Sequence, residues 1–234
     1  MKARTGFRIG LLVVLAAGLV GLGWLMNRHK LWERWATFQR MPVFGKSWAN
    51  EVDKMQNLYP TDSVDYLFLG DSHMEQCEWQ EFFPQKKVAN RGIGGETTTG
   101  LLQRIDALPP CRLVFLQIGI NDLLGGQPPE SVFDRYQEVL YKLEKRHAKV
   151  VPCLVFYTRY SPDVNPSVRR LNELLRAWFQ KENRDFISLN PELAEGETLK
   201  QAYTLDGIHL NAQGYQVWLR QLQVSLGQME AGSR

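Results

Sequence analysis

Downstream of Pro60, short apolar runs alternate with longer segments whose apolar residues recur at helical spacing, and this alternation limits the fold more than any other feature of the chain. The runs are Tyr66–Leu69, Val88–Ala89, Leu113–Ile118, Val150–Phe156 and Phe186–Leu189. Each is of strand length and apolar throughout rather than at every second residue, the pattern of a sheet covered on both faces. Between and after them, Val132, Tyr136, Val139, Leu140 and Leu143 form one helical stripe. Val168, Leu171, Leu174, Leu175 and Trp178 form a second, and Tyr215, Trp218, Leu219 and Leu222 a third. Strand-helix alternation with right-handed crossovers predicts an α/β fold: a parallel sheet inside a three-layer α/β/α sandwich.

In such folds ligands bind where the strands' carboxyl ends emerge. The residues at those ends are Gly70-Asp71-Ser72-His73, Asn90-Arg91-Gly92-Ile93-Gly94-Gly95, Gly119-Ile120-Asn121-Asp122 and Tyr157-Thr158-Arg159-Tyr160. All four sets are therefore expected on one rim.

A serine hydroxyl at that rim needs a base within hydrogen-bond reach, itself oriented by a third group. The chain has four histidines. His29 follows an apolar N-terminal run, and His147 sits in the charged stretch EKRHAK at a helix end, where a cation complements the carbonyl dipole. His73 is adjacent to Ser72, and neighbouring side chains point in different directions; it is expected at the entrance of a groove or simply in solvent. His209 remains, three residues after Asp206 in TLDGIHLNAQGY, where a tight turn can set carboxylate and imidazole side by side. Taken alone, Asp206 is equally a turn or cap residue. Acyl transfer also needs donors where negative charge develops on oxygen. The backbone N–H groups of Ser72 and Gly95 and the side-chain amide of Asn121 can supply them, although Gly95 alone reads as a turn glycine and Asn121 alone as a cap.

Taken in order, Gly70-Asp71-Ser72, Asn90-x-Gly-Ile-x-Gly95, Gly119-x-Asn121-Asp122 and Asp206-x-x-His209 resemble the four blocks of the SGNH, or GDSL-type, hydrolases. The resemblance spans about Asp62 to Leu226. The stretch NRGIGGETTTGLLQRI is similar to the subgroup that includes platelet-activating-factor acetylhydrolase-like enzymes and bacterial carbohydrate O-acetylesterases. It implies a flavodoxin-like sheet, Ser72 as nucleophile, His209 as base, Asp206 as its orienting acid, and Gly95 and Asn121 beside the Ser72 amide as oxyanion donors. It implies no cofactor and no metal. His73 stands where the family motif usually has leucine, and Asp71 reads as a carboxylate that holds the loop.

No large lid insertion separates the strands, so the expected groove is open and polar, suited to a short acyl group, acetyl foremost, on a small molecule or a carbohydrate. His73, Arg91, Arg159 and Tyr160 are its candidate lining residues. The same chemistry resolved by a sugar hydroxyl would make an O-acyltransferase. A lysophospholipase or thioesterase is a further variant of it. Asp71-x-His73 also opens the metal-binding pattern of two-metal phosphoesterases, but the remaining ligand blocks of that pattern are absent. A non-catalytic, membrane-tethered binding module would have no need of the complete set of polar residues.

The N-terminal part carries a different signal. Ile9–Met26 has no charged residue and, as a helix, would be about 27 Å long at ~1.5 Å per residue, close to a bilayer core. A basic start precedes it, no small-x-small cleavage site follows, and Trp24, Trp32 and Trp35 suit an interfacial belt. This reads as an uncleaved signal-anchor over residues 1–26. An amphipathic juxtamembrane segment or tether over 27–60 and a hydrolase domain over 61–234 would follow. The domain is expected outside the cytoplasm, periplasmic in a bacterium, with cleavage and secretion as the alternative. From Ser47 onward, 20 Lys and Arg face 24 Asp and Glu, so the overall charge of +3 comes from the region around the anchor. No basic stripe with interleaved aromatics marks a nucleic-acid surface. Cys77, Cys111 and Cys153 lack metal-ligand spacing, and an odd number cannot all pair internally.

Overall fold

The central strand, β1 (Val64–Gly70), carries Leu67, Phe68 and Leu69 with no exposed surface at all, so both of its faces lie against other layers. In the computed structural model, which describes residues 44–146 and 148–231, β1 is flanked by β2 (Val88–Gly92) and β3 (Cys111–Gln117), and β3 by β4 (Lys149–Pro152). All neighbours are parallel and the strand order is 2-1-3-4. A parallel bridge between Cys153 and Ile187 adds a fifth position beyond β4. With the Ile187 segment in fifth place, this is the order of flavodoxin-like sheets, with its switch point beside β1.

Because side chains alternate across a strand, the sheet divides two apolar layers. Leu67, Leu69, Val114 and Leu116 pack with α4 (Thr98–Arg104), α6 (Pro129–Lys145) and α7 (Asn165–Lys181). Tyr66, Phe68, Leu113 and Phe115 pack with Trp79 and with Val217, Trp218 and Leu222 of α9 (Ala212–Ala231). Trp79 lies in the short helix α3 (Trp79–Phe82), its ring stacked on Phe68 at 4.2 Å. The stripe expected on α6 coincides with that helix's buried residues, Val132, Tyr136, Val139, Leu140 and Leu143. On α7 the buried line runs through Val168, Leu171, Leu175 and Phe179, and Leu174 and Trp178 sit at its edge.

The apolar run Val150–Phe156 departs from expectation. Its ladder stops at Pro152, with one further bridge at Cys153. Beyond that, asparagine side chains take over from strand partners. Asn172 accepts from the Val155 N–H at 2.9 Å and donates to the Val155 carbonyl at 2.8 Å. Asn190, in α8 (Asn190–Leu193), donates to the same carbonyl at 2.8 Å, and Asn165 makes the matching pair with Thr158 at 2.9 and 2.7 Å. The chain thus stays buried without a sheet neighbour, because every buried amide needs a partner from somewhere. A two-stranded antiparallel ribbon, β5 (Ala194–Glu195) and β6 (Thr198–Leu199), follows.

The segment read as an anchor, residues 1–26, lies outside the described residues, as do Trp32, Trp35, His29 and His147. Among the described residues no helix is long and apolar enough to cross a membrane. The end of the stretch read as juxtamembrane forms α1 (Phe44–Asn57). Its Met55 is buried, and its Trp48 indole donates to Glu96 Oε1 at 2.8 Å. Glu96 is in turn ion-paired with Arg104, both of them buried.

Candidate active site

At the end of β1 the backbone passes so close to β3 that only glycine fits. Gly70 has φ +144°, and a Cβ there would lie 1.7 Å from the Gln117 carbonyl oxygen. The next residue, Asp71, is fully buried and caps α2 (Ser72–Glu75), accepting from the His73 N–H at 3.0 Å. With the Gln117 amide oriented to donate, its nitrogen lies 2.8 and 3.0 Å from the two Asp71 oxygens. Asn90 holds the other end of α2, its amide donating to the carbonyls of Met74, Glu75 and Cys77 at 2.8, 3.2 and 3.1 Å. Ser72 therefore sits on a short helix fixed at both ends, 9 % exposed.

The facing half of the site is the turn before α9. Asp206 Oδ1 accepts from the backbone N–H groups of Ile208 at 2.9 Å and His209 at 2.8 Å, and Oδ2 receives His209 Nδ1 at 2.6 Å. Burial acts to raise the Asp206 pKa. The imidazole and the two backbone donors outweigh it and hold the carboxyl at about 2. Donation from Nδ1 leaves Nε2 as the acceptor, and Nε2 lies 3.0 Å from Ser72 Oγ. Gly207, with φ +86°, packs so closely that a Cβ would meet the Tyr160 nitrogen at 2.8 Å. Its carbonyl accepts from Arg159 N, Tyr160 N and Thr158 Oγ1 at 2.7, 2.9 and 2.9 Å. The asparagine-supported segment after β4 thus braces the Asp206–His209 turn.

The third part is the loop after β2 and the start of α5 (Ile120–Leu124). Asn121 donates one amide N–H to the Glu96 carbonyl at 3.0 Å, which leaves the second free to point elsewhere. Asp122 accepts from Thr98 N and Thr98 Oγ1 at 2.9 and 2.7 Å, so α5 is tied to α4 and to the loop carrying Gly95. Among the described residues neither the Ser72 nor the Gly95 N–H has a backbone acceptor. A serine with an oriented imidazole beside it, and amide donors on adjoining loops, is suited to acyl transfer.

Ser72, Asp206 and His209 are thus in one hydrogen-bonded chain, with Gly95 on its loop and Asn121 at the start of α5 linked through Glu96. The expected groove residues are less uniform. Tyr160 is 61 % exposed, and Arg159 is exposed with its Nε donating to the Leu199 carbonyl at 2.9 Å. Arg91 is half-buried, its guanidinium 4.7 Å from the Tyr59 ring centroid. His73, expected at the entrance or in solvent, is instead 2 % exposed and turned inward. Its Nδ1 lies 3.1 Å from Asp71 Oδ1 and its Nε2 2.9 Å from the Ile208 carbonyl. An imidazole nitrogen facing a carbonyl carries a proton and cannot ligate a metal, so Asp71 and His73 do not form the metal-binding pair of the phosphoesterase reading. The three thiols are free, Cys77 and Cys153 being buried, and burial pushes Cys77 up to about 12. Sequence reasoning gave no role to Asn90, Thr158 or Gln117. Asn90 and Thr158 were expected on the rim by their place after the strands, and no sequence signal marked Gln117.

The chain is similar to known proteins in sequence and in fold. A family model described as the GDSL-like Lipase/Acylhydrolase family matches residues 68–217. The platelet-activating factor acetylhydrolase IB subunit alpha1 of Bos taurus is 28 % identical over 69 % of this chain and 76 % of its own. N-acylneuraminate cytidylyltransferase of Streptococcus agalactiae is 22 % identical over 70 % of this chain, and the match spans only 39 % of that longer protein. A GDSL-like lipase from Bacteroides thetaiotaomicron shares the fold with a TM-score of 0.62 at 20 % identity, over 79 % of this chain and 97 % of that one. The chain belongs to the GDSL-like lipase/acylhydrolase family.

Proposed function

We propose that the protein is a serine esterase that removes short acyl groups, acetyl foremost, from a carbohydrate or another small alcohol. The observation that carries this reading is the unbroken contact from Ser72 Oγ to His209 Nε2 at 3.0 Å and from His209 Nδ1 to Asp206 at 2.6 Å. In the first half-reaction Ser72 Oγ attacks the ester carbonyl as its proton passes to His209 Nε2. The oxyanion is held by the N–H groups of Ser72 and Gly95 and by the second amide hydrogen of Asn121. Collapse breaks the bond to the alcohol oxygen, which leaves with the proton from His209, and the acyl group stays on Ser72. Water, deprotonated by the same imidazole, then releases the acid. Asp206 remains a carboxylate throughout, fixing the tautomer and offsetting the imidazolium charge.

The short acyl preference is supported by the sequence, in which no long insertion separates the strands. The acetyl and carbohydrate parts draw support from likeness to an acetylhydrolase subunit and to part of an enzyme named for N-acylneuraminate. We extend the proposal to location: residues 1–26 anchor the enzyme in a membrane with the domain on the extracytoplasmic side, which protease access in intact and permeabilised cells would test.

The function is tested by turnover of a series of nitrophenyl esters by the full chain. Acetate is expected to be fastest, with rates falling as the acyl chain lengthens and Ser72→Ala losing at least about a thousandfold. A preference for long acyl chains would overturn the substrate class, and an active Ser72→Ala variant would overturn the mechanism. Adding an oligosaccharide acceptor separates transfer from hydrolysis.

A further inference from the structure

We propose that His73 is a positioning residue, a buried imidazolium that ties the Asp206–His209 turn, through the Ile208 carbonyl, to the Asp71-capped helix presenting Ser72. This rests on the serine-esterase reading given above.

A neutral imidazole has one donor and one acceptor, whereas both ring nitrogens of His73 face oxygen: Asp71 Oδ1 at 3.1 Å and the Ile208 carbonyl at 2.9 Å. Either neutral tautomer would turn a lone pair toward an oxygen inside the protein. Only the cation satisfies both contacts. Its counter-charge is close, because the Asp71 carboxylate is fully buried and receives the His73 N–H and the Gln117 amide as well. The other groups around the ring are Asp206 across the gap, the His209 ring with its centroid 5.7 Å away, and the edge of Phe156 at 5.1 Å. Tyr215 of α9 donates to the His73 carbonyl at 2.8 Å. Burial opposes the charge, but Asp71, the Ile208 carbonyl and Asp206 together hold the His73 pKa above its ordinary value.

The position of the carbonyl gives the contact its function. Ile208 precedes His209, and the His209 N–H, the other end of the peptide group that carries the Ile208 carbonyl, is already bound to Asp206 Oδ1 at 2.8 Å. The peptide plane that sets the His209 ring is thus fixed from both sides, once by Asp206 within the turn and once by His73 from a segment 135 residues distant. Leucine at position 73 could fill space there but could not donate. The sign of the pH dependence follows. For a group whose pKa is raised by folding, the contribution is complete below about pH 6.5 and is lost as pH rises through the higher folded value.

Two measurements on the full-length chain test this. The first is histidine 15N NMR, with the four histidines assigned by substituting His29, His147 and His209 in turn, so that it does not depend on a His73 variant folding. His73 is expected to carry protons on both ring nitrogens at pH 7.5, and a neutral tautomer there would overturn the proposal. The second is His73→Leu, for which kcat is expected to fall about ten- to a hundredfold with KM within threefold, since a small misplacement of a reacting group costs that much. Amide exchange of residues 206–209 is expected to quicken in the same variant. A kcat within twofold of wild type would overturn the positioning role. An active Ser72→Ala variant would instead sink the serine reading, and the NMR and exchange results would still decide whether the tie exists.

Discussion

Asn121 has two amide hydrogens and only one assigned to the protein, through Glu96. If the other stabilises the oxyanion, Asn121→Ala loses about a hundred- to a thousandfold in kcat with little change in KM, which steady-state kinetics on the acetate ester would read. Asp206 gives a pH signature of its own. Its folded pKa of about 2 lies below the unfolded value, so its contribution to stability is complete above about pH 4 and is lost as pH falls toward 2. The carboxylate is 52 % exposed, so the effect is small. The gap in urea midpoint between wild type and Asp206→Asn is expected to stay constant from pH 8 to about pH 4.5 and to narrow only below that. Narrowing already between pH 6 and 5 would contradict it. The Ser72, Asp206 and His209 set could be read from the sequence because four histidines leave one credible base. His73 misled because the rule that neighbours point apart concerns its relation to Ser72 alone. It carries no information about a carbonyl on a turn 135 residues away.

Strands that pack on both faces announce themselves by continuous apolar runs, and β1 and β3 were legible for that reason. The segment after Pro152 was not: Leu154, Val155 and Phe156 have strand character, yet the partner beyond them pairs only at Ile187. Asn172 lies on the buried face of α7, and such a residue looks like a flaw in an apolar stripe until its two bonds to Val155 are seen. Replacing it by alanine leaves a buried N–H without its partner and weakens the bonding of the carbonyl. Asn172→Ala is expected to cost about 2–4 kcal/mol, measured by urea denaturation. A loss below about 0.5 kcal/mol would show that these bonds do not support the segment. Helix α1 was ambiguous for a different reason. An amphipathic helix can lie on lipid or on protein, and only the contacts of Trp48 with Glu96 and of Met55 with Arg104 show what this one packs against.

At the scale of the whole described domain, the parallel order 2-1-3-4 brings the ends of β1, β2 and β3 to one rim, and the apolar layers on both faces leave that edge as the place for polar chemistry. Four separated blocks of sequence meet there because crossover connections return each strand in the same direction. The architecture was legible because it depends on alternation and handedness, which short windows reveal. Bracing contacts such as Gly207 with Thr158 depend on backbone geometry that appears only after folding. The central claim is that this convergence activates one hydroxyl, and a fluorophosphonate probe followed by peptide mapping measures it most directly. The account predicts stoichiometric labelling at Ser72, slowed at least about a hundredfold in His209→Ala. Labelling at another serine, or at Ser72 with an undiminished rate in that variant, would contradict it.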